Sequence, residues 1–190
     1  MKLNAFYKIA SIFCIILFYV VALAGLLSIA FHIGYLWFPD SAFTKSVGPF
    51  EPIYSYLTLH FNEQPRLYDD PSFIRLSFLN VVAAFLFVNL FLWLLYRFLK
   101  NIYKHGLFVE QNVSVILRLG LTFIILGTAY AYTDELMTAE AVARLEVTNA
   151  TISFSSLYYI DTLLGGIIMI IIALALRTAV GAVEENKKTI

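Results

Sequence analysis

RFLKNIYKHGLFVEQNVSVILR, residues Arg97 to Arg118, is the basic, polar break between two long apolar runs. Four of the chain's 13 Lys and Arg lie in it (Arg97, Lys100, Lys104, Arg118), against one acid, Glu110. Lys104 and His105 precede Gly106, the order expected at a helix C-terminus. Cations there meet the negative end of the helix dipole, and glycine supplies the cap. Glu110 stands where the next helix would begin, and a negative charge is favoured at that end. The stretch therefore predicts a helical hairpin, with 97–112 as its polar part.

On either side the chain is too apolar for water. Leu76–Tyr96 carries no charge and predicts one spanning helix. Asn80 and Asn89 lie within it, half a turn out of phase, so a shared polar pore face is not expected. Each amide reads as packing glue to a neighbouring helix. Downstream, a helix is predicted over about 113–132, of which only Leu119–Thr133 is charge-free. That is roughly 22 Å at 1.5 Å per residue, short for a hydrocarbon core of ~30 Å. Arg118 must then lie at the membrane edge and snorkel outwards.

Composition agrees. The chain has 190 residues, 61% of them hydrophobic and 14% charged, against roughly 45–50% and 25% in soluble domains. Net charge is zero, which gives no footprint for direct nucleic-acid binding. A single cysteine, Cys14, excludes an intrachain disulfide and a cysteine metal site. His32, His60 and His105 lack metal-ligand spacing. No metal, cofactor or catalytic set is expected, and the chain reads as non-enzymatic.

Further out, Ile9–Pro39 is uncharged and too long for a signal-peptide core. It predicts an uncleaved helix over about 9–33, followed by an interfacial girdle of His32, Tyr35, Trp37 and Phe38. Pro39-Asp40 stops it. Residues 40–75 read as an outer loop, and Ile53–Phe61 within it as a strand. A second outer loop is expected over 134–156, holding a short helix, Asp134–Glu146, and a strand, Val147–Phe154. The two strands are expected to pair. The last helix is predicted over about 157–176, with Asp161 near its outer end. Gly120, Gly127 and Ala131 in the third helix, and Gly165, Gly166, Ala173 and Ala175 in the fourth, would let helices approach closely.

The expected fold is thus an all-α integral membrane protein of one domain, 1–190. Four transmembrane helices carry a small extracytoplasmic cap with a short two-stranded β element. Lys2, Lys8, Arg97, Lys100, Lys104, Arg118, Arg177, Lys187 and Lys188 fall on one side; Lys45, Arg66, Arg75 and Arg144 fall on the other. The basic side is expected to stay cytoplasmic, with both termini on it.

At the hairpin, Gly106, Phe108, Glu110 and Asn112 of GLFVEQN, followed by Arg118 and Gly120, resemble the signature of an uncharacterised family of four-helix bacterial membrane proteins. Members are often encoded beside a small helix-turn-helix regulator. Glu184, Glu185, Asn186, Thr189 and Ile190 of the tail resemble that family's acidic ending, from which Lys187-Lys188 depart. The resemblance covers about half the chain and implies a bacterial cytoplasmic membrane and a regulatory protein partner. It implies no activity and no cofactor.

Three candidate regions follow. His105, Glu110, Gln111 and Asn112, with Glu184, Glu185 and Asn186, read either as a docking surface for a cytoplasmic partner or as the cap and first turn of a hairpin, with Asn112 bonded to the tail. Asp161 reads as a functional intramembrane acid or as a charge suited to a helix N-terminus. The outer acids Glu63, Asp69, Asp70, Asp134 and Glu135, with Tyr54, Tyr56, Tyr158 and Tyr159, read as a ligand surface or as solvated charge. The leading expectation is a membrane protein acting through a partner, as regulator anchor, sensor or immunity-type factor, with self-association open. The alternative is a transporter of small solutes or ions, or a subunit of one.

Overall fold

The structure is a computed structural model that describes residues 2–55, 63–144 and 158–189, with side chains described over 4–55, 63–144 and 159–186. Helices dominate: α1 (Lys2–Trp37), α2 (Ala42–Val47), a 3-10 turn (Arg66–Asp69), α3 (Pro71–His105), α4 (Glu110–Thr122), a π turn (Phe123–Gly127), α5 (Thr128–Val142) and α6 (Tyr158–Thr189). α4, the π turn and α5 form one unbroken rod, Glu110–Val142. That rod, α1, α3 and α6 are each long and apolar enough to cross a bilayer, so the chain is a multi-pass membrane protein.

The helices overrun most of the expected boundaries, whereas the Gly106 cap and the Glu110 start stand where the sequence placed them. α3 begins at Pro71 rather than Leu76, because Asp70 caps it: the Asp70 carboxylate accepts from the Ser72 N–H at 2.8 Å, and Pro71 fits the first turn. It runs on to His105, which shortens the hairpin turn to Gly106–Val109. The third spanning helix passes through Thr133 without a break. The short helix expected over Asp134–Glu146 is its continuation, because nothing in 128–142 breaks the backbone ladder. α1 and α6 likewise extend into their charged ends. No strand occurs among the described residues, and Ile53–Ser55 is irregular. The remainder of the expected strand pair, 56–61 and 147–154, lies outside the described residues.

Packing follows an open row. α1 lies along α3; α3 lies against α4, the π turn and α5; α6 packs on an adjoining face of that same rod, where Gly127 stands between Phe87 of α3 and Thr162 of α6. Gly120 and Gly166 make the α4–α6 crossing: a Cβ on Gly120 would stand 2.8 Å from the Gly166 carbonyl oxygen, and one on Gly166 would stand 2.7 Å from that of Gly120. Below the crossing Val113, Ile116, Ala173, Leu176 and Val180 form a core with Phe98 and Met169. At the opposite end Phe50, Leu67, Tyr68, Phe73, Ile74, Met137 and Ala141 bury a cap of loop residues against α3 and α5. Chain ends and hairpin share one end of the row. Lys8 lies over the Tyr103 ring and Arg177 reaches Glu110 at 3.9 Å.

Candidate functional site

The hairpin is built by one amide. Gly106 takes φ 86°, a region that favours glycine, and its N–H donates to the Ile102 carbonyl. Asn112, fully buried, donates from Nδ2 to the carbonyls of Gly106 at 3.0 Å and Leu107 at 2.9 Å. Its bonds go to its own turn and not to the tail. Its Oδ1 is buried without a partner. The turn so fixed pushes Leu107 and Phe108 outwards, 40% and 50% exposed. His105, Glu110 and Gln111 are exposed beside them.

Glu110 and Arg177 form an exposed ion pair that ties this turn to α6. Both side chains are mostly solvated, so the pair contributes at most about 1 kcal/mol. Glu184, Glu185 and Asn186 are exposed. They lie roughly 10–13 Å beyond Arg177 along the helix axis, at 1.5 Å per residue. The hairpin and the tail thus share an end of the molecule, with Glu110–Arg177 as the link.

A second polar group lies at the opposite end, inside the packing of α1, α3 and α5. His32 was expected in an interfacial girdle but is buried against α3. Its Nδ1 lies 2.8 Å from the Ser28 carbonyl oxygen, which can only accept, so Nδ1 carries the proton. Its Nε2 lies 3.0 Å from the Ser77 hydroxyl, which donates to it when the ring is neutral. One turn on, Asn80 donates to the Asp134 carboxylate at 3.3 Å, and its Oδ1 lies 3.0 Å from the Thr133 hydroxyl, whose one proton is also within reach of the Ala129 and Tyr130 carbonyls. Asp134 is only 4% exposed. Its expected role as a solvated loop charge is overturned, because the helix carries it inwards with Met137, Thr138 and Ala141.

The remaining intramembrane residues are not brought together. Asn89 donates to the Phe85 carbonyl of its own helix, and its Oδ1 is buried without a partner. Asp161 is exposed in the first turn of α6. Arg118 is exposed on α4. At the cap end Tyr54 and Tyr68 share a hydrogen bond of 3.1 Å; burial and that bond push the Tyr54 phenol well above its usual pKa. A cleft of about 450 Å³ opens beside them, with Tyr35, Lys45, Gln64 and Asp69 among its lining residues. Glu63, Asp69 and Asp70 are exposed, and Asp70 serves as the α3 cap. Among the described residues no cluster of His, Cys, Asp and Glu could hold a metal ion.

No protein-family profile, curated protein or solved structure matches the chain.

Proposed function

We propose that the chain is a non-enzymatic membrane protein of the bacterial cytoplasmic membrane that acts through a protein partner. Both termini and the hairpin would face the cytoplasm, and the hairpin would present the docking surface. The observation that carries this reading is the hairpin turn. Two large apolar side chains, Leu107 and Phe108, are held outwards on a turn locked from beneath by Asn112, with His105, Glu110 and Gln111 as a polar rim. An apolar centre within a polar rim is the usual composition of a small interface. Pre-ordering lowers the entropic cost of binding. The sequence resemblance, with its neighbouring regulator, points to a regulatory protein as the partner.

The test is purification of the tagged chain from its host membranes in mild detergent, with mass spectrometry of co-purifying proteins. A stoichiometric cytoplasmic protein is expected. It should be lost on Phe108→Ala or Glu110→Ala while the yield of the chain itself is unchanged. Retention of the same partner by both variants would remove the hairpin from the reading.

A second reading, transport of a proton or small cation, is favoured by Asp134 alone. An acid buried within a spanning helix is costly and is commonly kept for function. Ion flux into proteoliposomes should then fall on Asp134→Asn; unchanged or absent flux in the unsubstituted protein rejects this reading.

A further inference from the structure

Because the helices stand in an open row, one side of α3 is left as a groove. Leu86, Leu90, Trp93 and Arg97 recur at the three- and four-residue spacing that shares a helix face, and they form its floor. α1 supplies one wall through Phe18 and Tyr19. The π turn and α4 supply the other through Leu126 and Arg118. Three clefts of about 330, 410 and 430 Å³ run together here, and Trp93 lines all three. The half nearer the cap is lined by apolar side chains and Asn89. The half nearer the hairpin carries Arg97, Lys100 and Arg118.

We propose that this groove binds an anionic phospholipid. One acyl chain lies along Leu86, Leu90 and Leu126, and the phosphodiester sits among Arg97, Lys100 and Arg118. Four observations select this occupant. Arg97 is eight residues before the end of α3 and Arg118 eight after the start of α4. The Cα atoms of both arginines therefore lie roughly 12 Å inside the hairpin tip, at one level along the helices. None of the three cations forms an ion pair among the described residues, and no described acid lines the clefts. Lys100 is held by the Tyr96 hydroxyl at 2.8 Å, which keeps its ammonium in the cleft. Asn101 lines that same cleft, and its Nδ2, a buried donor, has no partner.

Three cations converging on the membrane-edge end of one groove, with no acid among them, call for an anion, because charge near the membrane is costly without a partner. A guanidinium matches phosphate oxygens two at a time. Basic pockets between spanning helices suit anionic headgroups, and the apolar floor continuing from the cations fits a ligand that carries a chain.

Trp93 is a reporter inside the groove, and the chain has two tryptophans. The test uses full-length Trp37→Phe protein in vesicles of brominated phosphatidylglycerol mixed with non-brominated phosphatidylcholine, and in the reverse mixture. Quenching of Trp93 should show a preference for the anionic lipid of at least about fivefold, the order one cation near an anionic surface contributes. Arg97→Gln with Arg118→Gln should bring the preference close to one, and Arg97→Lys with Arg118→Lys should keep it. If the glutamine pair does not fold, Lys100→Gln should lower the preference in its place. Equal quenching by the two lipids overturns the proposal. So does no quenching by either, the result expected if a second copy covers the groove. Loss of preference in inorganic phosphate, but not in sodium chloride of equal ionic strength, would assign the cations to free phosphate and overturn the lipid.

Discussion

Asn80 and Asn89 stand nine residues apart on one helix and meet opposite surroundings. Asn80 has a partner within reach on both sides, Asp134 and the Thr133 hydroxyl, whereas Asn89 keeps a buried oxygen without a partner. Removing one member of a buried pair leaves the other unsatisfied, which costs about 1–3 kcal/mol. Asn80→Ala should therefore lower stability by that order in a detergent unfolding titration. Asn89→Leu should leave stability unchanged or raise it, since it replaces an unmet polar group with an apolar one. Asn112 shares with Asn89 a buried oxygen without a partner, but its Nδ2 closes the hairpin turn. Its alanine variant frees two turn carbonyls and should cost about as much as Asn80→Ala while loosening the hairpin, measurable as faster amide exchange over Gly106–Val109. Tyr54 gives the pH dependence of the cap. Its folded-state pKa lies above the ordinary value of 10.0, so the folded state holds the proton more tightly than the unfolded chain does. Stability from this group is complete below about pH 10 and falls as the pH rises beyond it. A Tyr54→Phe variant should lose that alkaline fall, read from thermal unfolding between neutral and alkaline buffer.

At the scale of elements, the existence of four spanning helices was legible, because uncharged runs of about 20 residues have few other homes than a bilayer. Of their ends only the two at the hairpin were: Lys104, His105 and Gly106 marked the end of α3, and Glu110 the start of α4. Charge was taken as the stop signal at Arg75, at Arg97 and at Asp134-Glu135, yet a helix continues through charged residues wherever its ladder is unbroken. The Asp70-Pro71 pair, a cap followed by a first-turn proline, was the signal for the true start of α3. Thr133, Met137 and Ala141 continue the helical spacing across the acids and could have placed Asp134 inside. The π turn has no such sequence mark. It re-phases the rod between the glycine crossing and the Asp134 face, and only the fold displays it. The small-residue faces were partly legible: Gly166 and Ala173 are buried at the α4–α6 interface, whereas Ala175 is exposed. A Cβ at Gly166 would also meet Ile124 at 2.5 Å, while one at Gly165 would meet Phe123 at an ordinary 3.6 Å. Gly166→Val should thus destabilise by about 1–3 kcal/mol, as overpacking does. Gly165→Ala should be neutral, and thermal unfolding of the two side by side checks the crossing.

For the whole molecule, sidedness joins the fold to the proposed function. Four passes put the N-terminus, the hairpin and the C-terminus at one end, and the Lys8–Tyr103 and Arg177–Glu110 contacts agree. The excess of Lys and Arg at that end is the basis for placing it in the cytoplasm. The open row follows from α1 lying on α3 while α6 packs on the central rod without lying along α1, an arrangement that hydropathy does not encode because spanning helices are apolar on most of their faces. If the row and its sidedness hold, the hairpin is available to a cytoplasmic partner and the groove opens to the inner leaflet. If they fail, both fail together. The decisive measurement is therefore labelling with a membrane-impermeant maleimide in a Cys14→Ala background, with single cysteines placed by Phe108→Cys, Glu184→Cys and Ser46→Cys. Phe108→Cys and Glu184→Cys should label in inverted vesicles and not in intact cells, and Ser46→Cys the reverse. Labelling of Phe108→Cys in intact cells, or on the side opposite to Glu184→Cys, would contradict the account.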